Sequence, residues 1–281
     1  MKIVSIIIGL FSGLLFGAAT PISKIFLSHV NSFQLAGLLY IGSAIVFVPY
    51  VIKNRKTGIV KIFRPLKSNH LLGIVIFGGL LGPLFLMIGL QNAHSMSVSV
   101  WLNLELVATA IIGIVFFKEQ INKYVVFGIS LTILSSLLIS FQEKSSGLFS
   151  ALFILLACIC WGIDNQLTSL VDTLSPQITT FIKGLFGGAT NFIIGMLLSK
   201  GSLQIEYIII ALLIGVFSYG VSIFLYITSA QNLGATRSQI LFSTAPFWGI
   251  IFACVLLKET VTPVTYIAIS FLLLGIIFII K

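Results

Sequence analysis

The sequence contains very few charged residues. Only 8% of its 281 residues are Asp, Glu, Lys or Arg, and 58% are hydrophobic. An ordinary soluble domain is roughly 25% charged, so these few charges could not cover the surface of a soluble protein of this size. The composition excludes a soluble globular protein, and the net charge of +9 therefore does not indicate a nucleic-acid partner.

Cysteine and histidine are also scarce. The three cysteines, Cys158, Cys160 and Cys254, lie in apolar runs with no histidine at metal-ligand spacing, so we expect neither a disulfide framework nor a metal site. The ATP-binding pattern GxxxxGK[ST], the zinc pattern HExxH and the serine pattern GxSxG do not occur. We therefore expect no catalytic residues, no cofactor and no ATP-driven pump in this chain.

Long apolar runs dominate the sequence. A bilayer is spanned by about 20 apolar residues, and these runs are continuous rather than alternating, which indicates helices. The ten runs lie near 3–27, 33–52, 70–90, 97–117, 123–141, 148–170, 176–198, 206–228, 237–257 and 262–280. We predict an all-α polytopic membrane protein with ten transmembrane helices, embedded in a lipid bilayer.

Two polar dipeptides recur at a separation of 140 residues. The recurring pairs are Gln91-Asn92 with Gln231-Asn232, and Lys118-Glu119 with Lys258-Glu259. Polar residues are rare in this chain, so their common register indicates an internal repeat. We predict two five-helix halves, 1–144 and 145–281.

The basic residues predict the orientation in the membrane. With the N-terminus inside, eleven of the sixteen basic residues fall in inside segments and four in outside segments, and six of the eleven lie in the segment 53–69. Cytoplasmic segments carry the excess of Lys and Arg, so both termini are predicted to be cytoplasmic. An odd number of helices in each half then inverts the halves relative to each other, which is typical of secondary transporters.

Short motifs in the two halves resemble a known family. Phe16-Gly17 and Trp161-Gly162 lie late in the first helix of each half, Glu119 and Glu259 close the fourth helix of each half, and Pro246 lies in the ninth. In this order and spacing they resemble the drug/metabolite transporter superfamily, and within it the EamA group. The resemblance implies a substrate cavity between the halves and the movement, as export, of small organic solutes through the plasma membrane. The sequence departs from the family's pattern at one place. Glu105-Leu106 occupies the position in the first half that Ala245-Pro246 occupies in the second.

Glu105 is an acidic residue near the middle of the fourth apolar run. An ionisable group there costs on the order of 2.5–3.5 kcal/mol on insertion scales, so it is expected to face a cavity or a partner. Ser97, Trp101, Glu105 and Thr109 recur every four residues and are predicted to share one face. Three roles stay open for Glu105: a structural bond to a neighbouring helix, recognition of a cation with Trp101 covering the ammonium group, and proton exchange.

Asp164 and Lys183 lie in the sixth and seventh runs. Counted at 1.5 Å per residue, both sit roughly 10 Å from the same membrane face, so adjacent antiparallel helices could pair them. Three interpretations stay open: a structural ion pair, a gate that breaks and forms during transport, and separate roles for the two residues. Glu105 is placed in a different layer, and a membrane-embedded enzyme, which needs several acids or histidines at one place, is a less favoured alternative.

Glycine and proline mark contacts and bends. Gly9, Gly13 and Gly17 repeat every four residues, a spacing that favours close packing within the bundle or in a homodimer. Pro83 and Pro246 interrupt helical runs and are candidate hinges. Gln239 and Ser243 in the ninth run are predicted to complete the substrate site.

These features predict a transporter that works by alternating access, as a monomer or homodimer. The expected substrates are amino acids, amines or related metabolites, moved with protons or in exchange for another solute. The alternative is an exporter of lipophilic cations with broad specificity.

Overall fold

The structure is a computed structural model that describes residues 2–53, 68–118, 122–143, 145–170, 175–199, 203–233 and 241–280. Most of the predicted basic segment 53–69 and Glu119 lie outside the described residues. The α-helices are α1 (Lys2–Phe26), α2 (Ser32–Lys53), α3 (Ser68–Gly73), α4 (Gly82–Gln91), α5 (Ser95–Trp101), α6 (Leu104–Phe117), α7 (Lys123–Gln142), α8 (Ser145–Ser169), α9 (Pro176–Ile182), α10 (Gly188–Leu198), α11 (Ile205–Ile214), α12 (Ser222–Leu233), α13 (Ala245–Leu257) and α14 (Pro263–Ile280). Within these residues, three π-helical segments, in which each N–H bonds five residues back, interrupt the series at π1 (Ile74–Leu81), π2 (Lys183–Gly187) and π3 (Gly215–Val221).

Within the described residues, eight helical stretches are long and apolar enough to cross a membrane. Two shorter apolar helices, Ala245–Leu257 and Pro263–Phe278, follow them. Helices suit the bilayer because they satisfy their backbone hydrogen bonds internally where no water can do so. The prediction of an all-helical membrane protein is confirmed, whereas the count of ten spanning helices stays a prediction.

Several backbone features recur after 140 residues, the same separation at which the dipeptides Gln-Asn and Lys-Glu recur. The segments π1 and π3 end at Leu81 and Val221, which are 140 residues apart. Lys118 and Lys258 both adopt the left-handed conformation, with φ of 54° and 55°, and each ends a helix. This conformation is unfavourable for a residue with a side chain, so its occurrence at both positions extends the repeat signal from sequence to backbone.

The fourth apolar run is not one continuous helix. It divides into α5 and α6 at a turn over Leu102 and Asn103. The Asn103 side chain donates to the carbonyl oxygens of Ser99, at 3.4 Å, and Val100, at 3.1 Å. An asparagine amide that bonds to nearby backbone groups competes with helical hydrogen bonds. As a result, the face predicted from a four-residue period does not continue from Trp101 to Glu105.

Pro83 follows directly on the π-helical segment π1. Proline has no N–H group, so it leaves carbonyl groups of the preceding turn without their helical donor. Side chains of other helices bond to carbonyls of that turn: the Trp161 indole donates to the Gly78 oxygen at 3.4 Å, and Asn191 donates to the Leu80 oxygen at 2.9 Å. This part of the third run is therefore held by α8 and α10, and its role as a hinge stays a prediction.

The glycines of α1 face other helices of the same chain. A Cβ atom at Gly17 would overlap the Ala245 carbonyl oxygen, and one at Gly13 would lie within 2.8 Å of the Thr244 hydroxyl. A Cβ at Gly187 would overlap the backbone of Gly79. These contacts assign the small residues to packing within the bundle, where close backbone approach replaces hydrophobic drive.

We expect Gly187→Ala to lower the thermal stability, because the added methyl group meets rigid backbone and overpacking costs about 1–3 kcal/mol. Gly73→Ala is the matched control, since its Cβ would meet the flexible end of the Leu167 side chain. Melting in detergent, followed by fluorescence, measures both. Equal melting temperatures for the two variants would contradict the packing assignment.

Candidate functional site

A cavity lies where α1 meets the breaks before α6 and α13. The empty space in and before it amounts to about 560 Å³, open solvent included. The described lining residues are Phe16, Gly17, Thr20, Ser99, Leu102, Asn103, Glu105, Leu106, Phe242, Ser243, Ala245 and Pro246. A turn at Asn103 precedes α6, and a second turn at Ser243 and Thr244 precedes α13. Both turns face this cavity, as broken helices do in other membrane proteins.

Glu105 is the only ionisable residue among these described lining residues. The Asn165 side chain of α8 donates to its Oε1 atom at 2.9 Å and to the Thr109 hydroxyl at 3.3 Å. Gln166 of α8 donates to the Thr109 carbonyl oxygen at 3.3 Å. In the described part of the chain, no lysine or arginine forms an ion pair with Glu105, so its carboxyl group is the one acidic group that a ligand would meet in this lining.

Five aromatic rings form a continuous row beside the cavity. The centroid distances are 5.5 Å from Tyr40 to Tyr219, 5.6 Å from Tyr219 to Phe16, 5.1 Å from Phe16 to Phe242 and 5.1 Å from Phe242 to Tyr226. Phe16 and Phe242 line the cavity, and Tyr40 and Tyr226 lie within electrostatic range of Glu105. The row, called the aromatic row below, offers ring faces and edges to an apolar or cationic ligand.

The structure brings together only some of the predicted site residues. Ser243 and Pro246 line the cavity with Glu105, and Thr109 joins them through Asn165. Ser97 is buried and is not among the lining residues. Gln239 lies outside the described residues.

Trp101 lies away from the described cavity lining. It is fully buried, and its indole group donates to the Ser136 carbonyl oxygen of α7 at 3.1 Å. Its own carbonyl oxygen lies 3.7 Å from the Cys158 sulfur of α8. The turn at Leu102 and Asn103 rotates Trp101 away from the face that carries Glu105, and sequence period alone gives no sign of this turn.

Asp164 and Lys183 form a buried ion pair. Lys183 Nζ lies 2.7 Å from Asp164 Oδ2, and the side chains are 17% and 4% exposed. Thr168 donates to the other Asp164 oxygen at 3.4 Å. A Cβ at Gly78 would overlap the Asp164 carboxyl group, so the backbone of π1 covers the pair directly.

The ion pair lies close to the cavity, contrary to the expected separation into layers. Asp164 and Asn165 are consecutive in α8, and Asn165 bonds to Glu105. The charges of Asp164 and Lys183 both act on the Glu105 carboxyl group. Asn165 and Asn103 belong to the candidate site but were not among the predicted site residues, and the only signal for them in the sequence is their position in apolar runs.

Polar contacts hold the end of the bundle at which α5 begins. Both oxygens of Glu259 accept backbone N–H groups, from Ser95 and from Met96, each at 2.8 Å. A carboxylate at a helix N-terminus satisfies free donors and interacts well with the helix dipole. Glu143 accepts from the His94 backbone at 3.2 Å and lies 3.0 Å from its ring Nδ1.

The two parts of the broken run pack against different neighbours. The helix α5 packs against α1 and α13, whereas α6 packs chiefly against α8. The cavity lies where these two arrangements meet, and it is lined by Ser99 of α5 and by Glu105 and Leu106 of α6.

A bundle of apolar helices with a cavity at two helix breaks defines a polytopic membrane protein of the transporter type. The EamA-like transporter family matches this chain twice, at residues 3–141 and 148–281. The chain belongs to this family, and the resemblance found in the sequence is confirmed.

Two known proteins are similar to the chain as a whole. A protein of Methanothermobacter thermautotrophicus described as an uncharacterized transporter is 25% identical over 265 residues, which cover 87% of this chain and 76% of that protein. A solved crystal structure covers 98% of this chain and 94% of its own, with a TM-score of 0.68 and 12% identity. At this identity the crystal structure shows the shared fold alone, and the family and the relative point to a transporter.

We expect Trp101→Phe to lower stability by about 1–3 kcal/mol, because it removes a buried hydrogen bond and leaves a small cavity. Ligand binding should not change, since the indole lies away from the described cavity lining. Phe16→Leu is the control that should weaken ligand binding with little effect on folding. A loss of binding in Trp101→Phe at full stability would restore Trp101 as a ligand contact.

Proposed function

We propose that the protein is a secondary transporter that exports small organic solutes carrying one positive charge, with amines as the favoured class. The single observation that carries the proposal is the carboxyl group of Glu105, which faces the cavity with an amide donor, Asn165, as its partner. A carboxylate in an apolar cavity attracts a cation more strongly than it would in water. Export is taken from the family resemblance.

The described lining favours amines over amino acids. An amino acid carries a carboxylate as well as an ammonium group, and its carboxylate needs a cationic or N–H donor partner. The described lining residues include no lysine or arginine. An amine needs only the acid and the polar groups of Asn103, Ser99 and Thr20, all of which line the cavity.

A second candidate is export of lipophilic cations with broad specificity. The aromatic row favours it, because ring faces attract a cation of almost any shape and need no directed hydrogen bond. The two candidate functions differ in the size and shape of the ligand, and the ligand carries one positive charge in both. If bulky quaternary ammonium compounds bind as tightly as primary amines, the second candidate is favoured.

Alternating access is the mechanism that we propose for both candidates. We infer that the contacts of Glu259 with α5 close one end of the cavity, and that this state opens towards the end of α6 that carries Lys118. If both termini are cytoplasmic, as the basic residues predict, this state opens to the cytoplasm, where an exporter loads its substrate. Two inverted halves would produce the opposite state by exchanging their conformations. The sequence contains no ATP-binding motif, so exchange or an ion gradient supplies the energy.

A ligand-stabilisation screen tests the proposed function. We expect amines to raise the melting temperature of the purified wild-type protein and to have little effect on Glu105→Gln. Ligand that binds only the folded state stabilises it by about 2.7 kcal/mol at a hundredfold excess over Kd. Amino acids, nucleosides and sugar phosphates serve as competing classes.

The matched control for this screen is Glu206→Gln. Glu206 is an exposed acid in the first turn of α11 and lies outside the cavity lining, so its removal tests for an effect of net charge. A shift caused by an anionic ligand, or an amine shift that survives in Glu105→Gln, would overturn the proposal.

We expect Glu259→Ala to open the closed end of the cavity, because it removes both acceptors that hold Ser95 and Met96. The reporter is Thr20→Cys, which lines the cavity, in a protein whose three native cysteines are replaced by alanine. A membrane-impermeant thiol reagent added outside right-side-out vesicles should label it about tenfold faster in the Glu259→Ala background, as a loss of about 1.4 kcal/mol implies. Glu206→Ala is the control, and an unchanged rate would contradict the role of Glu259 in closure.

A further inference from the structure

Two carboxyl groups and one ammonium group lie near one another between α6, α8 and π2, with Asp164 buried and Glu105 half-buried. Lys183 pairs with Asp164 at 2.7 Å, and the next residue of α8, Asn165, donates to Glu105. Asp164 and Lys183 lie within electrostatic range of Glu105, and Tyr40 lies within range of both acids. The formal charges therefore leave one acid in excess, and that acid is the one that faces the cavity.

Lys183 is a possible competitor for any cationic ligand of Glu105. Its ammonium group is a compact charge on a flexible four-carbon chain, and it can pair with whichever carboxylate lies in reach. If it paired with Glu105, the cavity would contain no free acid among its described lining residues. Whatever holds Lys183 in place therefore decides whether a cation can bind.

Asp164 is held firmly enough to keep Lys183. It accepts from Thr168 as well as from Lys183, and the backbone at Gly78 covers its carboxyl group. A Cβ at Gly79 would meet the carbonyl oxygen of Lys183 at 2.5 Å, so π1 packs on both members of the pair. Two glycines in π1 thus hold both members of the ion pair in place.

We propose that Asp164 sequesters Lys183 and so sets the charge that the site accepts to a single positive unit. Asp164 and Lys183 are positioning residues for Glu105 and do not touch the ligand. The inference rests on the proposed function, because it concerns the cation bound at Glu105. It adds a specificity rule: monocations are accepted, and dications are rejected because only one acid is free.

The rule predicts opposite effects for the two single variants. Asp164→Asn frees Lys183 to neutralise Glu105, so it should weaken cation binding. Lys183→Met leaves two acids in one region, so it should favour a dication. The double variant Asp164→Asn/Lys183→Met has no charge at either position and again leaves Glu105 as the single acid. It should bind like the wild type.

The test measures the affinity of two probes by calorimetry and by thermal shift in detergent. Phenethylamine carries one ammonium group and 1,6-diaminohexane carries two. We expect Asp164→Asn to bind phenethylamine about tenfold or more weakly, and the double variant to recover to within about threefold of the wild type. We expect Lys183→Met to raise the affinity ratio of the diamine to the monoamine by about tenfold, and the double variant to return the ratio to its wild-type value.

The affinity ratio of the diamine to the monoamine separates this role from a merely structural one. A structural ion pair also allows the double variant to recover, because removing both charges leaves neither of them unpaired, but it predicts that the affinity ratio stays constant in all four proteins. A constant ratio, or a double variant that stays as impaired as Asp164→Asn, overturns the inference. If Asp164→Asn does not fold, the affinity ratio in Lys183→Met and in the double variant decides the question alone.

The same experiment distinguishes this inference from the proposed function. A wild-type protein that binds neither probe, or a Glu105→Gln variant that binds both as well as the wild type, contradicts the proposed function itself. Wild-type binding that is lost in Glu105→Gln, together with an unchanged ratio in Lys183→Met, contradicts only the sequestration of Lys183.

Discussion

The structure depends on one constraint: a backbone polar group in the bilayer must find its partner within the protein. Three segments of the described chain show how this is done. Asn103 bonds to its own preceding turn, Trp161 and Asn191 bond to carbonyls of the turn before Pro83, and Glu259 satisfies two N–H groups of α5. The helices can therefore be interrupted where the cavity needs polar groups, without exposing unpaired backbone to lipid.

The same low polarity gives the few charged groups their weight. A carboxyl group that would matter little on a soluble surface dominates the electrostatics of an apolar cavity. The buried pair of Asp164 and Lys183 is costly to desolvate, and its geometry and extra hydrogen bond compensate for part of that cost. The arrangement of Glu105, Asn165 and this pair connects α6, α8 and π2, so the proposed ligand site and the packing of three membrane-spanning runs depend on the same contacts.

Much of the architecture could be predicted from the sequence, and less of the site. Composition and apolar run length predicted the helical membrane class, and Glu105 stood out because an acid in an apolar run is rare. Depth counting placed Asp164 and Lys183 at one level, and the structure brings them to 2.7 Å. Trp101 was placed on the face of Glu105 because the four-residue period was extended across Leu102 and Asn103, where no proline or glycine marks the break. Asn165 was missed because its contact with Glu105 depends on how α8 packs, which no local pattern encodes.

Of the two halves, only the first has an acidic residue at the position of Glu105. Glu105 in the first half stands at the position of Ala245 in the second, and Asn103 stands at that of Ser243. In the proposed cycle, the halves exchange conformations while the ligand's charge stays beside the first half. The two loaded end states of this cycle would then differ in energy. At equal ligand concentrations on both sides, loaded carriers would accumulate in one orientation, so the asymmetry of a single acidic residue would set a preferred direction for the loaded carrier.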